Sequence, residues 1–392
     1  MRIGILGSGP SALYSAFLLK KKKPDSLIDV FDKEEKLAKK LRATGNGHAN
    51  LMPKDAFCPE AYNNPSFVAP LLKEYDLEKR KAAFLEMGVI LSFKEGLGFY
   101  PASDNANQFS NYLMEGLEEK GVSFYPGTFV NDYKKIGDSY FFETSKGRKG
   151  PYDILLLAPG AKSGKNLGSD GSFVCVLRNH GYSFREFQSG LCPIYLKDRD
   201  LSSLMGIRHD ALVSCFKDDT CFFKERGEIL YKSDGLSGIV IMNASSAIAR
   251  REEKENIRVE VDLFPDLSLQ ELQKEMKDVH KVREKDYFDA FLPSALAKHV
   301  WNRSKRIKDM DTEAALAVTM KSLSYVYTGN YPFTSSQVSV GGLELSEIGD
   351  SFESTKEKYV YFAGEILNID GFCGGYNLLF DLLCAMRIAD SI

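Results

Sequence analysis

Residues 1 to 32 constrain the fold more than any other stretch of the chain. An apolar strand pattern at Ile3-Gly4-Ile5-Leu6 runs through a glycine-rich turn into a helix carrying Ala12, Leu13, Ala16, Phe17 and Leu19, then into Leu27-Ile28-Asp29-Val30-Phe31-Asp32. Strand, turn, helix and strand in that order make a βαβ unit, the building block of a parallel sheet. The turn Gly7-Ser8-Gly9-Pro10-Ser11-Ala12 reads G-x-G-x-x-A. Gly7 permits the tight turn, Gly9 lets the backbone approach a pyrophosphate, and Pro10 opens a helix whose N-terminus faces that anion. Ser11 stands in the first helical turn, and small Ala12 lets the helix pack close to the strand. Asp32 lies 20 residues after Ala12, where a carboxylate at the end of the second strand bonds a ribose hydroxyl. A dinucleotide is the expected ligand. The run Lys20 to Lys23 reads as the solvated end of the helix.

Tyr152 to Ala158 is an uninterrupted apolar run ending in Pro159-Gly160, the texture of a strand buried on both faces of that sheet. Between these landmarks a helix is expected over 108–120 and strands over 122–125 and 127–131. From about residue 191 short alternating strands take over, at 211–216, 221–224, 239–242 and 258–263, as in a small antiparallel barrel or sandwich. Ser268 with Glu271 forms a capping box before Leu269, Leu272 and Met276, and the periods at 288–300 and 313–326 are helical. A strand at 359–363, glycines, and an apolar helix over 378–389 close the chain. The expected fold class is α/β: a discontinuous Rossmann-type domain (1–190 and 336–392) interrupted by an antiparallel β-barrel (191–265) and a small helical subdomain (266–335).

Two more segments carry chemistry. In the stretch from Gly364 to Asn377, Glu365 stands at a strand end, where a carboxylate can accept bonds from a polyol. Gly374 and Gly375 stand at a helix start, where backbone N–H groups meet an oxygen. A flavin needs both contacts, one for its ribityl chain and one for the ring edge that gathers negative charge on reduction. The loop Thr44-Gly45-Asn46-Gly47-His48-Ala49-Asn50 adds two flexible glycines and short polar side chains suited to a planar, heteroatom-rich ring.

Composition narrows the partners. Fifty-one Lys and Arg against 54 Asp and Glu leave a net charge of -3, so no bulk positive field favours nucleic acid or an anionic membrane. No apolar run approaches the about 18 residues of a spanning helix. A cytoplasmic protein acting on a small molecule is expected, of unspecified oligomeric state. Seven cysteines without a CxxC point to reduced thiols, and neither a disulfide framework nor a metal site is indicated. P-loop, zincin and nucleophile-elbow motifs are absent. His180, His209, His280 and His299 lie far apart and read as structural, whereas His48 sits in the loop expected to face the ring, where it could donate a proton or neutralise reduced flavin.

The chain resembles the bacterial BaiN-like flavoproteins, NAD(P)/FAD-dependent oxidoreductases also described as aminoacetone-oxidase-family FAD-binding proteins. The resemblance runs end to end. It rests on G-S-G-P-S-A at 7–12, K-L-R-A-T-G-N-G-H-A-N at 40–50, A-P-G at 158–160 with G-S-D-G at 168–171, G-E-I-L-Y-K-S-D-G-L-S-G at 227–238, V-G-G-L-E-L-S-E-I at 340–348 and A-G-E-x-L-x-x-D-G-x-x-G-G-Y-N at 363–377. It implies a Rossmann-type FAD domain interrupted by a barrel and a helical subdomain. It also implies FAD contacts from Gly7, Gly9, Asp32, Asn46, Asn50, Gly364, Glu365, Asp370, Gly375, Tyr376 and Asn377. Pro10, Ser11, Ala12, Lys33, Lys40, Thr44, Gly45, Val130, Gly160, Gly371 and Gly374 complete the expected cofactor-binding set, with His48 as the catalytic candidate.

Departures are equally specific. Thr44, His48 and Ala49 stand where the family pattern has Ser, Arg and Cys, so no step that needs that Arg or Cys carries over. Leu167 to Gly171 replaces a T-G-S-T-G-D-G pattern, and Ser339-Val340 replaces Ala-Gly. The expected activity is an FAD-dependent oxidoreductase moving a hydride or electrons between a small organic substrate and non-covalent FAD. NAD(P)H is a possible transient donor, because residues 191–335 carry no second glycine fingerprint. The alternatives are an amine or amino-ketone oxidase using oxygen, and a flavin- or nucleotide-binding module without turnover.

Overall fold

Parallel pairing of five short apolar strands organises the first part of the computed structural model, which describes residues 1–198, 201–282 and 287–392, the side chains of 287 and 288 aside. The sheet runs in the order β18 (Val360–Phe362), β9 (Ile154–Leu157), β1 (Arg2–Leu6), β2 (Leu27–Phe31), β5 (Val122–Tyr125). β1 and β9 lie inside the sheet and β18 at its edge, and all three carry almost only apolar residues, the texture of strands covered on both faces. Thus the last strand of the chain lies two places from the first, and the C-terminal helix α11 (Tyr376–Ser391) packs on α1 (Pro10–Lys22). Helix α5 (Ala106–Glu119) leads into β5. Smaller sheets complete this unit: the hairpin β3 (Leu91–Lys94) with β4 (Gly98–Pro101), the antiparallel β6 (Val130–Ile136), β7 (Ser139–Thr144) and β8 (Gly147–Tyr152), and the ribbon of β10 (Phe184–Gly190) with β17 (Val338–Leu343). Helices α2 (Lys39–Ala43), α3 (Pro65–Glu74), α4 (Leu77–Glu86) and α6 (Val174–Asn179) fill the connections.

The chain divides into two units, Met1–Gln188 with Val338–Ile392, and Ser189–Gln337. The second is a closed antiparallel barrel in the order β11 (Ile194–Leu196), β14 (Gly235–Ser237), β13 (Thr220–Lys232), β12 (Arg208–Lys217), β15 (Ile257–Asp262), β16 (Leu323–Asn330). Helices α8 (Leu269–Val282), α9 (Ser294–Ser304) and α10 (Thr312–Lys321) lie in sequence between β15 and β16. One apolar core joins barrel residues such as Val259, Val261 and Leu323 to Leu272, Met276, Leu296 and Leu316 of those helices. The stretches 191–265 and 266–335 therefore share a core, because β16 returns from the helical stretch to close the barrel.

The structure follows the sequence where the local signal is specific. The capping box forms as expected: the Glu271 N–H donates to Ser268 Oγ at 3.2 Å and the Ser268 N–H to Glu271 Oε2 at 2.8 Å. Four expectations need correction. Residues 239–242 belong to helix α7 (Ile239–Ala249), which starts at Gly238 and is buried on most sides; a short apolar run cannot by itself separate a strand from a buried helix. The helical period at 313–326 stops at Lys321, and 323–326 are strand. Lys20 is buried, its ammonium donating to the carbonyls of Pro24 and Ser26 at 2.8 Å each, so it closes the end of α1 while Lys21 to Lys23 stay exposed. The expected helix at 288–300 is a short 3-10 turn and then α9; residues 283–286 lie outside the described residues. No described helix is long and apolar enough to cross a membrane.

Candidate functional site

The site grows from the turn between β1 and α1. Gly7 has φ +98, and a Cβ there would stand 2.1 Å from the Ala158 carbonyl oxygen, so only glycine fits against β9. At Gly9 a Cβ would meet nothing within 4 Å: the backbone faces open space. The Gly9 cap has no side-chain partner, which leaves the first N–H groups of α1 free to bind an anion. Asp32, just past β2, is tied to this turn. Its Oδ2 accepts from the Ser8 N–H at 2.9 Å and from Ser8 Oγ at 2.5 Å, and its Oδ1 accepts from the Glu34 N–H at 2.9 Å. The carboxylate is thereby held at the strand end with acceptor capacity left over.

The C-terminal segment arrives from the other side of the sequence. Gly375 (φ +97) caps α11 without a side-chain partner, and a Cβ there would lie 2.7 Å from Asn50 Oδ1 and from the Met52 carbonyl carbon. The loop at 44–50 and the start of α11 are thus in contact. Asn50 Oδ1 is buried and accepts no hydrogen bond among the described residues, while its Nδ2 donates to the Leu97 carbonyl at 3.3 Å. Gly45, Asn46, Gly47 and Ala49 all have positive φ, which glycine adopts freely and which costs Asn46 and Ala49 backbone strain of the kind found at functional sites. Thr44 Oγ1 donates to the Leu41 carbonyl at 2.7 Å. Asn377 spends its amide on the 371–372 turn, accepting from the Gly371 N–H at 2.9 Å and donating to the Gly371 carbonyl at 3.0 Å. Asp370 is buried and its backbone pairs with Asn63. Tyr376 packs edge-on against Tyr62, whose hydroxyl donates to the Tyr376 carbonyl at 2.8 Å.

A polar cluster joins these segments. Glu365 is ion-paired with Lys40 and accepts from Ser163 Oγ and, at 2.7 Å, from the Ser339 N–H. Lys40 also donates to Ser163 Oγ at 2.8 Å. Ser339 Oγ accepts from the N–H groups of Lys162 and Ser163 at 3.0 and 2.9 Å, so one of the departures from the family pattern has a definite bonding role. Beneath lies Asp381, partly buried on α11. Ser11 Oγ donates to it at 2.8 Å, and a Cβ on Gly364 would lie 2.8 Å from its Oδ1. Burial pushes the Asp381 carboxyl up to about 7, against the opposing hydrogen bond from Ser11.

Other expected residues lie at the margins. The Lys33 ammonium pairs with Asp170 at 2.5 Å, Gly160 (φ +73) approaches Ser169, and Val130 opens β6 opposite Thr144. His48 Nδ1 sits 3.1 Å from both the carbonyl oxygen and Oδ1 of Asp104. The remaining histidines bond to local partners: His180 to Asp132, His209 to the Leu263 carbonyl, His280 to Glu313 and His299 to Tyr325. Sequence reasoning missed Ser8, Asp104, Ser163 and Asp381. Asp381 did leave a signal, as the lone acid in the apolar run Leu378-Leu379-Phe380-Asp381-Leu382-Leu383; the others have none outside the fold.

The arrangement fits FAD: two uncapped helix N-termini, an open backbone at Gly9, a positioned Asp32 and a buried unpartnered amide oxygen. Comparison with known proteins agrees. The family model for the HI0933-like protein Rossmann domain matches residues 1–390. The chain is 27% identical over 393 residues to a 3-dehydro-bile acid delta(4,6)-reductase of Clostridium scindens, covering 96% of this chain and 95% of that protein. It is 23% identical to a ribosomal RNA dihydrouridine synthase of Haemophilus influenzae, covering 99% and 97%. Among solved structures, an Escherichia coli quinol fumarate reductase matches with TM-score 0.52 at 12% identity, over 100% of this chain and 70% of that one. A 3-ketosteroid-delta4-(5alpha)-dehydrogenase of Rhodococcus jostii matches with TM-score 0.51 at 10% identity, over 99% and 96%. At such identities the structures show the fold alone.

Proposed function

The chain belongs to the HI0933-like Rossmann-domain family, a family of FAD-dependent oxidoreductases, and on that premise we propose that it saturates a conjugated carbon–carbon double bond in a small organic molecule, with NAD(P)H recharging a non-covalent FAD. The observation that carries the cofactor is the convergence of the α1 and α11 N-termini, both without side-chain caps, with the unpartnered Asn50 Oδ1 beside the second. The first suits a pyrophosphate, and the second suits the ring edge that becomes negative on reduction. Bound FAD supplies the hydride transfer, and the protein supplies position, charge and dryness. Gly9 and the N–H groups behind it cradle the pyrophosphate, Asp32 takes the ribose, Glu365 with Lys40 and Ser163 faces the ribityl chain, and the loop at 44–50 borders the ring. Support for a reduction comes from the names of the relatives: a delta(4,6)-reductase and a dihydrouridine synthase both describe double bonds made single. A net charge of -3 favours the small molecule over RNA. The reading places the enzyme in the cytoplasm, and it has NAD(P)H meet the flavin face transiently.

The test is a pair of anaerobic half-reactions on the purified holoprotein. NADPH or NADH is expected to bleach the flavin, and a conjugated enone such as 4-androstene-3,17-dione to restore its colour. Rapid reoxidation by oxygen with peroxide release, and none by the enone, would favour the oxidase instead. A second reading, in which the substrate is a uridine ring in RNA, follows the 23% relatives; reoxidation by an RNA fragment and not by the enone would select it.

A further inference from the structure

We propose that Asp104 is a positioning residue that fixes His48 with its hydrogen on Nδ1, making Nε2 the atom that passes a proton to the substrate. The step rests on the reductase reading above; the geometry does not. Nδ1 lies 3.1 Å from two oxygens of Asp104, the backbone carbonyl and Oδ1. A carbonyl only accepts. The carboxylate also only accepts, because the Lys94 ammonium donates to the same Oδ1 at 2.6 Å and, with His48 adding to it, holds Asp104 below the usual carboxylate range. A lone pair on Nδ1 would face both oxygens, so Nδ1 carries the hydrogen. Nε2 makes no hydrogen bond among the described residues, and half of the side chain is exposed.

The placement supports a proton role. His48 sits between Gly47 (φ +89) and Ala49 (φ +57), in a loop where Asn46 and Ala49 are both held in left-handed backbone. Two residues on, Asn50 abuts Gly375 at the start of α11, and the Leu51 N–H donates to the Phe99 carbonyl of β4 at 2.8 Å. The Asp104 N–H donates to the Pro101 carbonyl at the end of that strand, also at 2.8 Å. One short strand therefore ties the acid, the imidazole and the helix start that suits the ring. An Arg, the residue of the resembling family at position 48, never gives up its proton; a histidine can.

In the proposed step the double bond takes a hydride at one carbon, supplied by flavin that NAD(P)H has reduced, and the Nε2 proton at the other. Two C–H bonds form and the π bond is lost. The flavin is left oxidised, and His48 is left neutral, with its lone pair on Nε2 and its Nδ1–H still on Asp104, to be reprotonated from water.

The experiment combines nitrogen-15 NMR of histidine-labelled holoprotein with the two half-reactions, on wild type, Asp104→Ala and Asp104→Asn. Wild type is expected to show His48 protonated at Nδ1. Asp104→Ala, which leaves only the backbone carbonyl as acceptor, is expected to weaken that preference and to slow reoxidation by 4-androstene-3,17-dione by about tenfold, with reduction by NADPH and FAD content within about twofold of wild type. Asp104→Asn, which keeps an acceptor oxygen, recovers most of the rate. An unprotonated Nδ1 in wild type, an unchanged reoxidation rate in Asp104→Ala, or an equal loss in both half-reactions overturns the proposal. A wild-type protein that NADPH reduces and the dione cannot reoxidise removes the reductase reading and the step with it, while the tautomer signal still decides the geometry.

Discussion

The turn at 7–12 and the loop at 44–50 both expose backbone to the candidate site through left-handed residues, yet they are held by opposite means. The turn is held by packing. Gly7 lies against the Ala158 carbonyl and its N–H donates to the Phe31 carbonyl at 2.8 Å, so three strands clamp it. The loop is held by side chains: Thr44 on the Leu41 carbonyl, Asn50 on the Leu97 carbonyl, His48 on Asp104. A clamped turn admits almost no substitution, whereas a loop held from outside can change its residues and keep its place. Three of this chain's departures from the family pattern, Thr44, His48 and Ala49, fall in that loop.

The largest effect expected from breaking the contrast is Gly7→Ala. A Cβ at 2.1 Å from a carbonyl on left-handed backbone must move β1 or β9, and the loss should exceed about 4 kcal/mol with FAD binding abolished. Denaturant unfolding and flavin content of the purified variant check it. A variant that folds and stays yellow would mean the turn is no more rigid than the loop.

Asp381→Asn probes what lies under the turn. Its carboxyl is raised to about 7 from 3.8, so the folded state holds the proton more tightly than the unfolded chain does. Wild-type stability therefore falls as pH rises from about 4 to about 7. The amide keeps an acceptor for Ser11 and cannot ionise. The variant should thus match wild type near pH 4 and exceed it at pH 8, by on the order of 3 kcal/mol. Unfolding midpoints at the two pH values read the difference directly, and a gap that does not widen with pH would show that Asp381 is not held neutral.

Ser339→Ala comes next. It strips an acceptor from the buried N–H groups of Lys162 and Ser163 and loosens the cluster around Glu365. A loss of about 1–2 kcal/mol is expected, together with weaker FAD retention; equilibrium dialysis against FAD and a melting curve measure both. The smallest structural effect belongs to the loop: Asp104→Ala should cost less than about 1 kcal/mol, because the ion pairs it makes are exposed and only its left-handed backbone disfavours alanine. A fall as large as that of Ser339→Ala would place loop and turn in one class.

The same contrast explains what the sequence disclosed. Gly7, Gly9, Pro10, Ala12 and Asp32 act through spacing along one βαβ unit, and spacing is visible in a linear chain. The start of α11 was legible for the same reason, through Gly374, Gly375 and the apolar helix after them. Asp104, Ser163 and Ser339 act through hydrogen bonds to residues 56, 202 and 26 positions away, and no periodicity encodes such a meeting. Strand 239–242 failed because Ile239-Val240-Ile241-Met242 satisfies both periods until Gly238 is seen as a helix cap.

The central claim is tested most directly by the visible absorption spectrum of the purified protein, followed by heat release of the chromophore and anaerobic addition of NADPH. The account predicts flavin bands, FAD in the released fraction and bleaching by the nicotinamide. A colourless protein that also fails to take up added FAD would contradict it.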